Sequence, residues 1–408
     1  MRTTISFDDA LVDRAQRLTG LMEKSVLVAL ACLSGMGVWA GAARADEAPL
    51  LTFASAGQSV AVVSVAGGLQ HPWSLAFLPE GGMLVTEREG RLRRVSPEGA
   101  LSAPIDGLPP VHAQGQGGLL DVLLDPDHAN NRRLYLAYAE PTGRGARTAV
   151  ASAVLAPGSN RLTAVTRLFA QNEDPSGRHH WGARLVFDAE GHLFVTLGDR
   201  FFHRDRAQAL DSHLGKIVRI CADGSVPEGN PFVGQSGALP EIWSYGHRNV
   251  QGAALHPHTG ELWAHEHGPQ GGDEVNRVKR GGNHGWPVIT YGREYVTGAR
   301  IGEGRERADV VAPLHQWTPS IAPSGMSFYT ATVFPGWQGD LFVGALRGQH
   351  LARLSLQGAE VVSEERLLEA LGVRIRDVRQ GPDGLLYLLD DSEGRILRLQ
   401  PGSPNQAD

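Results

Sequence analysis

The amino-acid sequence predicts an all-β protein, a six-bladed β-propeller with four-stranded antiparallel blades. Three observations predict it: a composition rich in turn-forming residues, a hairpin-like unit that recurs six times, and a strand-like segment before the first unit that is available to close a ring. We expect residues 46–408 to form this propeller as one domain, because no linker-like stretch interrupts the series.

The composition suits many short strands joined by tight turns. The 408 residues include 51 Gly and 24 Pro, with 42% hydrophobic and 20% charged residues. The net charge of −6 offers no general attraction to phosphate backbones or anionic lipid, so nucleic acid is not an expected partner. Of the two cysteines, Cys32 lies in an N-terminal apolar stretch and Cys221 stands alone, so we expect no disulfide within the propeller.

Residues 1–45 are predicted to be an N-terminal extension and signal peptide. Lys24 precedes an apolar run that is short and glycine-rich for a membrane span, and the run ends at an A-x-A site whose last residue is Ala45. Cleavage after Ala45 predicts a periplasmic or secreted protein with no membrane attachment once the signal is removed. A retained membrane anchor is the alternative.

The first 21 residues are unusual for a signal peptide. They resemble the N-terminal strand and first helix of a ribbon-helix-helix antitoxin. One strand and one helix do not make that dimeric DNA-binding fold. We therefore interpret them as an upstream fusion or a misplaced start, with Met22 beginning a signal of ordinary length.

The recurring unit is an apolar strand, a turn containing Pro, Asp or Gly, and a second strand that begins with a hydrophobic pair. Its six copies occupy residues 75–85, 122–136, 185–195, 254–263, 334–343 and 381–387. The spacing is widest between the third and fifth copies, so we expect the long loops there to build one face of the molecule. Residues 60–65 are the strand expected to complete the last blade. Two unrelated β domains are the alternative.

A candidate acid–base pair flanks the third copy. If its two strands pair, His180 and Asp199 lie at the same rim, where a carboxylate holds an imidazole in one tautomer and raises its basicity. A simple turn hydrogen bond is the alternative. On composition alone, His179 is an equally available imidazole.

Four arginines from three of the copies are candidates for an anion site. Arg248 and Asn249 precede the fourth copy, Arg347 follows the fifth, and Arg374 and Arg376 alternate on one strand and so share a face. Converging guanidinium groups would match the carboxylates of a multiply anionic small ligand. Solvated surface arginines are the alternative.

Residues 265–276 are a candidate metal segment. Gly and Pro leave backbone carbonyls available, and Asp273 and Glu274 supply the hard oxygens that suit calcium. His265 and His267 permit a zinc interpretation of low specificity. The sequence has no G-x-G-x-x-G motif between strand and helix, Walker loop, G-x-S-x-G elbow or H-E-x-x-H motif, so nucleotide cofactors and serine hydrolysis lack their usual signals.

These motifs resemble, in the same order, those of the soluble aldose sugar dehydrogenases that use pyrroloquinoline quinone, relatives of soluble quinoprotein glucose dehydrogenase. The similarity extends from about residue 67 to 399. The motifs that carry it are residues 115–121, His180 before Arg184-Leu185, residues 245–249, residues 266–269 with 272–274, and residues 374–377.

The resemblance implies oxidation of an aldose at C1 to its lactone, with pyrroloquinoline quinone and Ca²⁺ as cofactors. It implies that His180 is the base, that Asp199 orients it, that hydride passes to the quinone C5, and that Arg248 stabilises charge beside the quinone oxygen. The cofactor-binding positions that it implies are Gln116, Arg248, Asn249, Tyr295, Arg347, Arg374 and Arg376. The implied calcium ligands are the carbonyls of Gly268 and Pro269, with Glu274 and His284 at a second, structural ion.

Three residues depart from the family pattern. Arg347 stands where relatives carry Lys, His284 where they carry Tyr, and Ser320 where the glucose enzyme carries Thr. The implied partners are an aldose substrate and a separate electron acceptor, for a protein that is a monomer or homodimer. Two alternatives remain open: a calcium-dependent propeller lactonase, and a non-catalytic sugar-binding propeller.

Overall fold

The computed structural model describes residues 48–403, which form a ring of six antiparallel sheets. The strands of the first three blades are β3 (Pro72–Phe77), β4 (Met83–Glu87) and β5 (Arg91–Val95) in blade 1; β6 (Leu119–Leu124), β7 (Arg133–Pro141), β8 (Ala146–Val154) and β9 (Thr163–Ala170) in blade 2; and β10 (Gly182–Phe187), β11 (His192–Leu197), β12 (Lys216–Cys221) and β13 (Ile242–Tyr245) in blade 3.

The second half of the ring repeats this meander. Its strands are β14 (Val250–Leu255), β15 (Leu262–Glu266), β16 (Asp273–Arg277) and β17 (His315–Trp317) in blade 4; β18 (Pro323–Phe328), β19 (Leu341–Ala345), β20 (Leu351–Gln357) and β21 (Glu360–Leu367) in blade 5; and β22 (Ile375–Gln380), β23 (Leu386–Asp390) and β24 (Arg395–Pro401) in blade 6. The described helices are one α-helical turn, α1 (His128–Asn131), and 3₁₀ turns at Arg204–Gln208, Pro335–Trp337 and Glu369–Leu371.

The N-terminal strands close the ring by completing blade 6. Strand β2 (Gln58–Ala66) pairs antiparallel with β24, with Val62 opposite Leu399, and β1 (Leu51–Ser55) adds a fifth strand outside it. The prediction that residues 60–65 complete the last blade is confirmed, and so is the six-bladed propeller. Chain ends that share one sheet leave no open seam in the ring.

Blade 1 differs from the others because its outer position is not filled by a full strand. After β5, the chain makes an isolated bridge between Val95 and Leu101 and then runs irregularly to β6. Pro104, Pro109 and Pro110 lie in this stretch. Proline has no backbone N–H to donate to a neighbouring strand, so a regular fourth strand is disfavoured there.

The innermost strands of the blades begin at one end of the axis, where several predicted site residues lie. These strands are β3, β6, β10, β14, β18 and β22, and each contacts the next around the ring. In all six, the pairing with the second strand of the blade shifts register close to the strand's beginning. Such bulges re-aim side chains and are common beside active sites. Six of the predicted site residues lie at or just before these beginnings: Gln116, His180, Arg248, Asn249, Arg374 and Arg376.

A buried ion network lies further along the inner strands, two to four residues beyond the first residue of β6, β10 and β22. Arg184 contacts Asp121 at 3.0 Å and Asp377 at 3.1 Å, and Arg379 contacts the same two carboxylates at 3.3 and 2.9 Å. Asp121 also accepts a hydrogen bond from the backbone N–H of Leu185 in the next blade, at 2.7 Å. The network therefore joins blades 2, 3 and 6 across the axis.

Within residues 48–403, no helix is long and apolar enough to cross a membrane. The predicted signal peptide and the antitoxin-like segment lie outside these residues. The domain boundary at residue 46 stays a prediction.

Candidate active site

His180 and Asp199 form a buried hydrogen-bonded pair at the predicted rim. His180 lies just before β10 and Asp199 just after β11, and His180 Nδ1 is 2.6 Å from Asp199 Oδ1. An ionised carboxylate only accepts hydrogen bonds, so Nδ1 carries the proton and Nε2 presents a lone pair. His180 has a φ of +54°, a strained value for a residue with a side chain, of the kind that clusters at functional sites.

Burial keeps His180 neutral. Removal from water, followed by the nearby charge of Arg248, lowers the pKa of His180 to about 4, against the opposing effect of Asp199. Burial alone would raise the pKa of Asp199, but the hydrogen bond from His180 and the charge of Arg248 bring it below its ordinary value. At neutral pH the pair is an imidazole with an ionised carboxylate behind it, which is the state that a general base requires.

Two further donors hold Asp199, and neither was predicted. The indole Nε1 of Trp286 donates to Asp199 Oδ2 at 2.8 Å, and the backbone N–H of Phe201 donates to Oδ1 at 2.8 Å. Trp286 is itself held by Gln208, whose amide donates to the Trp286 carbonyl at 2.7 Å and to Asn283 at 3.0 Å. The sequence signal for Trp286 was only its place beside His284, in a segment assigned to metal binding.

A cavity of about 230 Å³ opens beside the pair, at the beginnings of the inner strands. Two flat aromatic side chains, Trp73 and Trp181, form part of its wall, with Leu120 and Leu346. The polar lining residues are Arg88, Gln116, Asn249, Gln251, His267, Arg374 and Arg376. Within residues 48–403, no carboxylate lines this cavity, so its charge is positive.

Gln116 and Asn249 connect the cavity to the base. Gln116 Oε1 accepts a hydrogen bond from the backbone N–H of His180 at 2.8 Å, and Asn249 Oδ1 accepts one from Gly182 at 3.2 Å. Gln251 donates to Asn249 at 3.2 Å and accepts from Arg376 at 3.1 Å. The predicted residues Gln116, Asn249 and Arg376 therefore share one polar wall, to which the structure adds Gln251.

The three predicted arginines of blades 5 and 6, Arg347, Arg374 and Arg376, separate into two groups. Arg374 and Arg376 line the cavity, as their shared strand face predicted, and Arg374 is also 3.4 Å from Asp391. Arg347 is exposed and is not among the lining residues, although the neighbouring Leu346 is. The role of Arg347 stays a prediction.

Arg248 lies close enough to His180 for its charge to act on the base. Its guanidinium donates to the carbonyls of His267 at 3.0 Å and Gly268 at 2.7 Å, and to the hydroxyl of Tyr295 at 3.2 Å. It also lies over the Trp286 ring, at 5.3 Å from the centroid. Tyr295 is 44% exposed, so it forms part of the mouth of the site rather than its interior.

Asp273 organises the segment that carries Gly268 and Pro269. It accepts hydrogen bonds from Gly268 N–H at 2.8 Å, from the hydroxyl of Ser320 at 2.7 Å and from the N–H groups of Ile321 and Ala322 at 2.8 and 2.9 Å. Ser320, one of the three departures from the family pattern, thus binds a carboxylate. A Cβ on Gly268 would lie 2.2 Å from the carbonyl oxygens of Gly271 and Gly272, so only glycine fits there.

A second buried acidic site lies beside this segment. Glu266 and Glu274 face each other directly across β15 and β16, and Asn276 donates to both at 3.3 Å. Burial, followed by the charge of Glu266, raises the pKa of Glu274 well above its usual range. Asn276 Oδ1 and both ring nitrogens of His284 are buried without hydrogen-bond partners. Opposed buried carboxylates and unpaired ligand atoms are the surroundings that a cation stabilises.

Comparison with known proteins agrees with this geometry. Residues 69–398 match the family model described as glucose / sorbosone dehydrogenase. The chain belongs to the glucose / sorbosone dehydrogenase family. This dehydrogenase is an oxidoreductase, and it is 44% identical over 382 residues to the aldose sugar dehydrogenase YliI of Escherichia coli strain K12, an alignment that covers 92% of this chain and 98% of that protein.

Solved structures resemble the dehydrogenase over most of its length. A crystal structure described as glucose dehydrogenase has a TM-score of 0.81 at 50% identity and covers 84% of this chain and 99% of that one. The structure of the PQQ-bound form of aldose sugar dehydrogenase from Streptomyces coelicolor has a TM-score of 0.70 at 31% identity and covers 86% of this chain and 99% of that one. Residues 1–32 match a different family model, the bacterial antitoxin VapB of type II toxin–antitoxin systems.

Proposed function

We propose that this dehydrogenase oxidises aldose sugars at C1 to lactones, using pyrroloquinoline quinone and calcium, and passes two electrons to a separate acceptor. The observation that carries the proposal is a neutral, carboxylate-oriented imidazole beside a cavity lined by three arginines and, within residues 48–403, by no carboxylate. A base and a polyanion site are thus adjacent, which is the arrangement that oxidation by an anionic quinone requires.

The residues that line the cavity suit a flat tricarboxylate quinone in chemistry and in charge. Trp73 and Trp181 offer flat apolar surface to a ring system, and Arg374 and Arg376 offer planar donors to carboxylates. Gln116 and Asn249 are placed to hydrogen-bond the polar edge. A relative's structure is described as PQQ-bound, and a protein 26% identical over 461 residues is the quinoprotein glucose dehydrogenase B of Acinetobacter calcoaceticus.

Calcium fits two places near this cavity. The carbonyls of Gly268 and Pro269 would hold one ion, in the loop that Asp273 keeps in shape. Glu274, with the facing Glu266 and with His284 nearby, would hold a second ion whose charge offsets the paired carboxylates. Pyrroloquinoline quinone, when bound, supplies a hydride acceptor at its C5 atom, and calcium polarises it.

The protein's own groups supply the proton transfer. His180 Nε2 accepts the proton of the anomeric hydroxyl, and Asp199 stabilises the imidazolium that forms. Arg248, whose charge acts on both members of the pair, stabilises negative charge that develops at the reacting centre. Trp286 and Phe201 N–H keep Asp199 in place throughout.

One experiment distinguishes this function from its alternatives. Purified protein is reconstituted with pyrroloquinoline quinone and Ca²⁺, and reduction of an artificial dye is followed with a panel of aldoses. We expect dye reduction that requires both additions. A calcium-dependent lactonase would instead hydrolyse lactones without dye reduction, and a sugar-binding propeller would bind aldoses with neither activity; either result would refute the proposal.

We also propose that the dehydrogenase is exported to the periplasm or secreted by a signal cleaved after Ala45. The support is the sequence pattern of residues 24–45 alone. Mass spectrometry of the mature protein from the extracytoplasmic fraction should find Asp46 as its first residue. A chain that retains residues 22–45 in the membrane fraction would contradict this.

A further inference from the structure

Arg88, which lies directly after β4 in blade 1, has an unusual position. Its side chain lines the cavity together with Arg374 and Arg376. Among residues 48–403, no hydrogen-bond or ion-pair partner of its guanidinium is present. Its backbone N–H and carbonyl, by contrast, bond to His71 and Leu119 at 3.1 Å each, so the main chain is held while the cation is unpaired.

The nearest buried carboxylate of the blade is already in use. Glu87 Oε1 accepts a hydrogen bond from the backbone N–H of Gln70 at 2.6 Å. Glu87 Oε2 accepts from Arg91 at 2.6 Å and from Arg93 at 3.3 Å. Glu87 therefore neutralises its neighbours on β5 and leaves the cavity-facing Arg88 uncompensated.

The other cavity arginines do not relieve this charge. Arg376 makes one hydrogen bond, to the neutral Gln251. Burial is the main cause that lowers the pKa of Arg376 to about 10, and the charges of Arg374 and Arg88 lower it further against the attraction of Asp391. Asp391 is the carboxylate nearest Arg374 and is shared with His71, at 3.3 Å. Three cations thus converge where the described residues supply one carboxylate, at the edge.

We propose that Arg88 is a further cofactor-binding residue, whose guanidinium pairs with a carboxylate of the anionic quinone. The inference rests on the proposed function for the identity of the ligand. It adds blade 1 to the blades that hold the cofactor, next to the arginines of the neighbouring blade 6. A planar guanidinium fits a carboxylate with two parallel hydrogen bonds, which an unpaired cavity arginine is free to make.

The test measures cofactor affinity without turnover. Apo-protein with Ca²⁺ is titrated with pyrroloquinoline quinone, and binding is followed by quenching of tryptophan fluorescence, to which Trp73 and Trp181 at the cavity contribute. We expect Arg88→Gln and Arg88→Met to weaken binding roughly tenfold, as loss of a hydrogen bond between charged groups does. Arg88→Lys keeps the charge but lacks the planar pair of N–H donors. Its affinity for the quinone should lie between that of these variants and that of wild type.

Two controls make the result specific. Arg94→Gln removes a half-buried arginine on β5 of the same blade that does not line the cavity, and it should bind like wild type. Added salt should weaken wild-type binding more steeply than that of Arg88→Gln, because the variant has one charge fewer to screen. Thermal melting of each variant confirms that it is folded before titration.

The outcomes separate this inference from the function beneath it. Wild-type protein that does not bind the quinone refutes the proposed function and the role of Arg88 together. If wild type binds and either folded neutral variant binds within twofold of it, the role of Arg88 is overturned and the proposed function stands. Two neutral variants of different shape ensure that one folding failure does not remove the test.

Discussion

At the scale of single residues, the base is defined by its surroundings rather than by its residue type. His179 and His180 are adjacent, but His179 is exposed, whereas His180 is buried against Asp199. The hydrogen bond to Asp199 fixes the tautomer of His180, and burial lowers its pKa to about 4, so the ring is neutral near pH 7. Composition alone left these two imidazoles equivalent, the family resemblance selected His180, and in the structure its burial against Asp199 distinguishes it from His179.

We predict that His180→Ala abolishes turnover while cofactor binding persists. Loss of a general base costs on the order of 10²- to 10⁴-fold in kcat, and the carboxylate-binding arginines remain in place. Dye reduction measures the first effect, and fluorescence titration with the quinone measures the second. His179→Ala is the matched control and should retain turnover; a reversal of the two phenotypes would reassign the base.

Trp286 is predicted to act on the base through Asp199. Trp286→Phe removes the N–H that donates to Asp199 Oδ2 while keeping an aromatic ring. Without this donor the negative charge of Asp199 is less stabilised, so the pKa of His180 rises. The acidic limb of the plot of kcat against pH should therefore move to higher pH, from about 4.

We expect kcat of Trp286→Phe to fall about tenfold with little change in KM, since a hydrogen bond to a charged group is lost. Trp263→Phe is the control, because the indole N–H of Trp263, on β15 of blade 4, is buried without a hydrogen-bond partner. A Trp286→Phe enzyme with an unshifted pH profile would show that the hydrogen bond has no positioning role.

At the scale of elements, β15 and β16 place two buried carboxylates opposite each other, and a bound cation would offset their repulsion. Glu266 and Glu274 are register partners and are both buried. Because the fold raises the pKa of Glu274, its ionisation costs stability as pH rises above about 4.5. We therefore predict that Ca²⁺ raises the melting temperature more at pH 8 than at pH 5.

The variant Glu274→Gln should melt higher than wild type in chelator at pH 8 and lose most of the calcium response. Differential scanning calorimetry with and without Ca²⁺ measures both effects. Glu360→Gln, an exposed change at the start of β21, should leave the calcium response intact. An equal calcium shift in the Glu274→Gln protein would place the stabilising ion elsewhere.

At the scale of the whole molecule, a single closed ring holds several neutral buried histidines. Burial is the main cause that lowers the pKa of His265 to about 3 and that of His180 to about 4, and it also lowers those of His267 and His284. The unfolded chain takes up protons on these groups near pH 6.5, whereas the folded chain does not. Stability therefore falls as pH decreases from 6.5 toward 4.

For each such histidine, the free energy of unfolding falls by about 1.4 kcal/mol per unit decrease in pH in this range. Denaturant unfolding at several pH values between 7 and 4.5 measures the slope. His265→Gln should reduce it, whereas His258→Gln, at an exposed turn, should not. A stability that is flat over this range would mean that the buried rings are protonated in the native state.

The sequence by itself determined the ring and much of the site. Recurring hairpin units require neighbours to bury their faces, so six copies and one spare strand predict a closed propeller. Arg374 and Arg376 were placed on one face by alternation alone, and His180 was paired with Asp199 by strand ends.

Tertiary structure decided which distant groups meet. Trp286 reaches Asp199 from 87 residues away, Gln251 reaches Arg376 from 125, and Glu266 opposes Glu274 only because β15 and β16 pair in that register. The guanidinium of Arg88 is left unpaired because the fold directs Glu87 to Arg91 and Arg93. Such contacts depend on loop paths and on the competition for partners, and neither is written in the local pattern of residues.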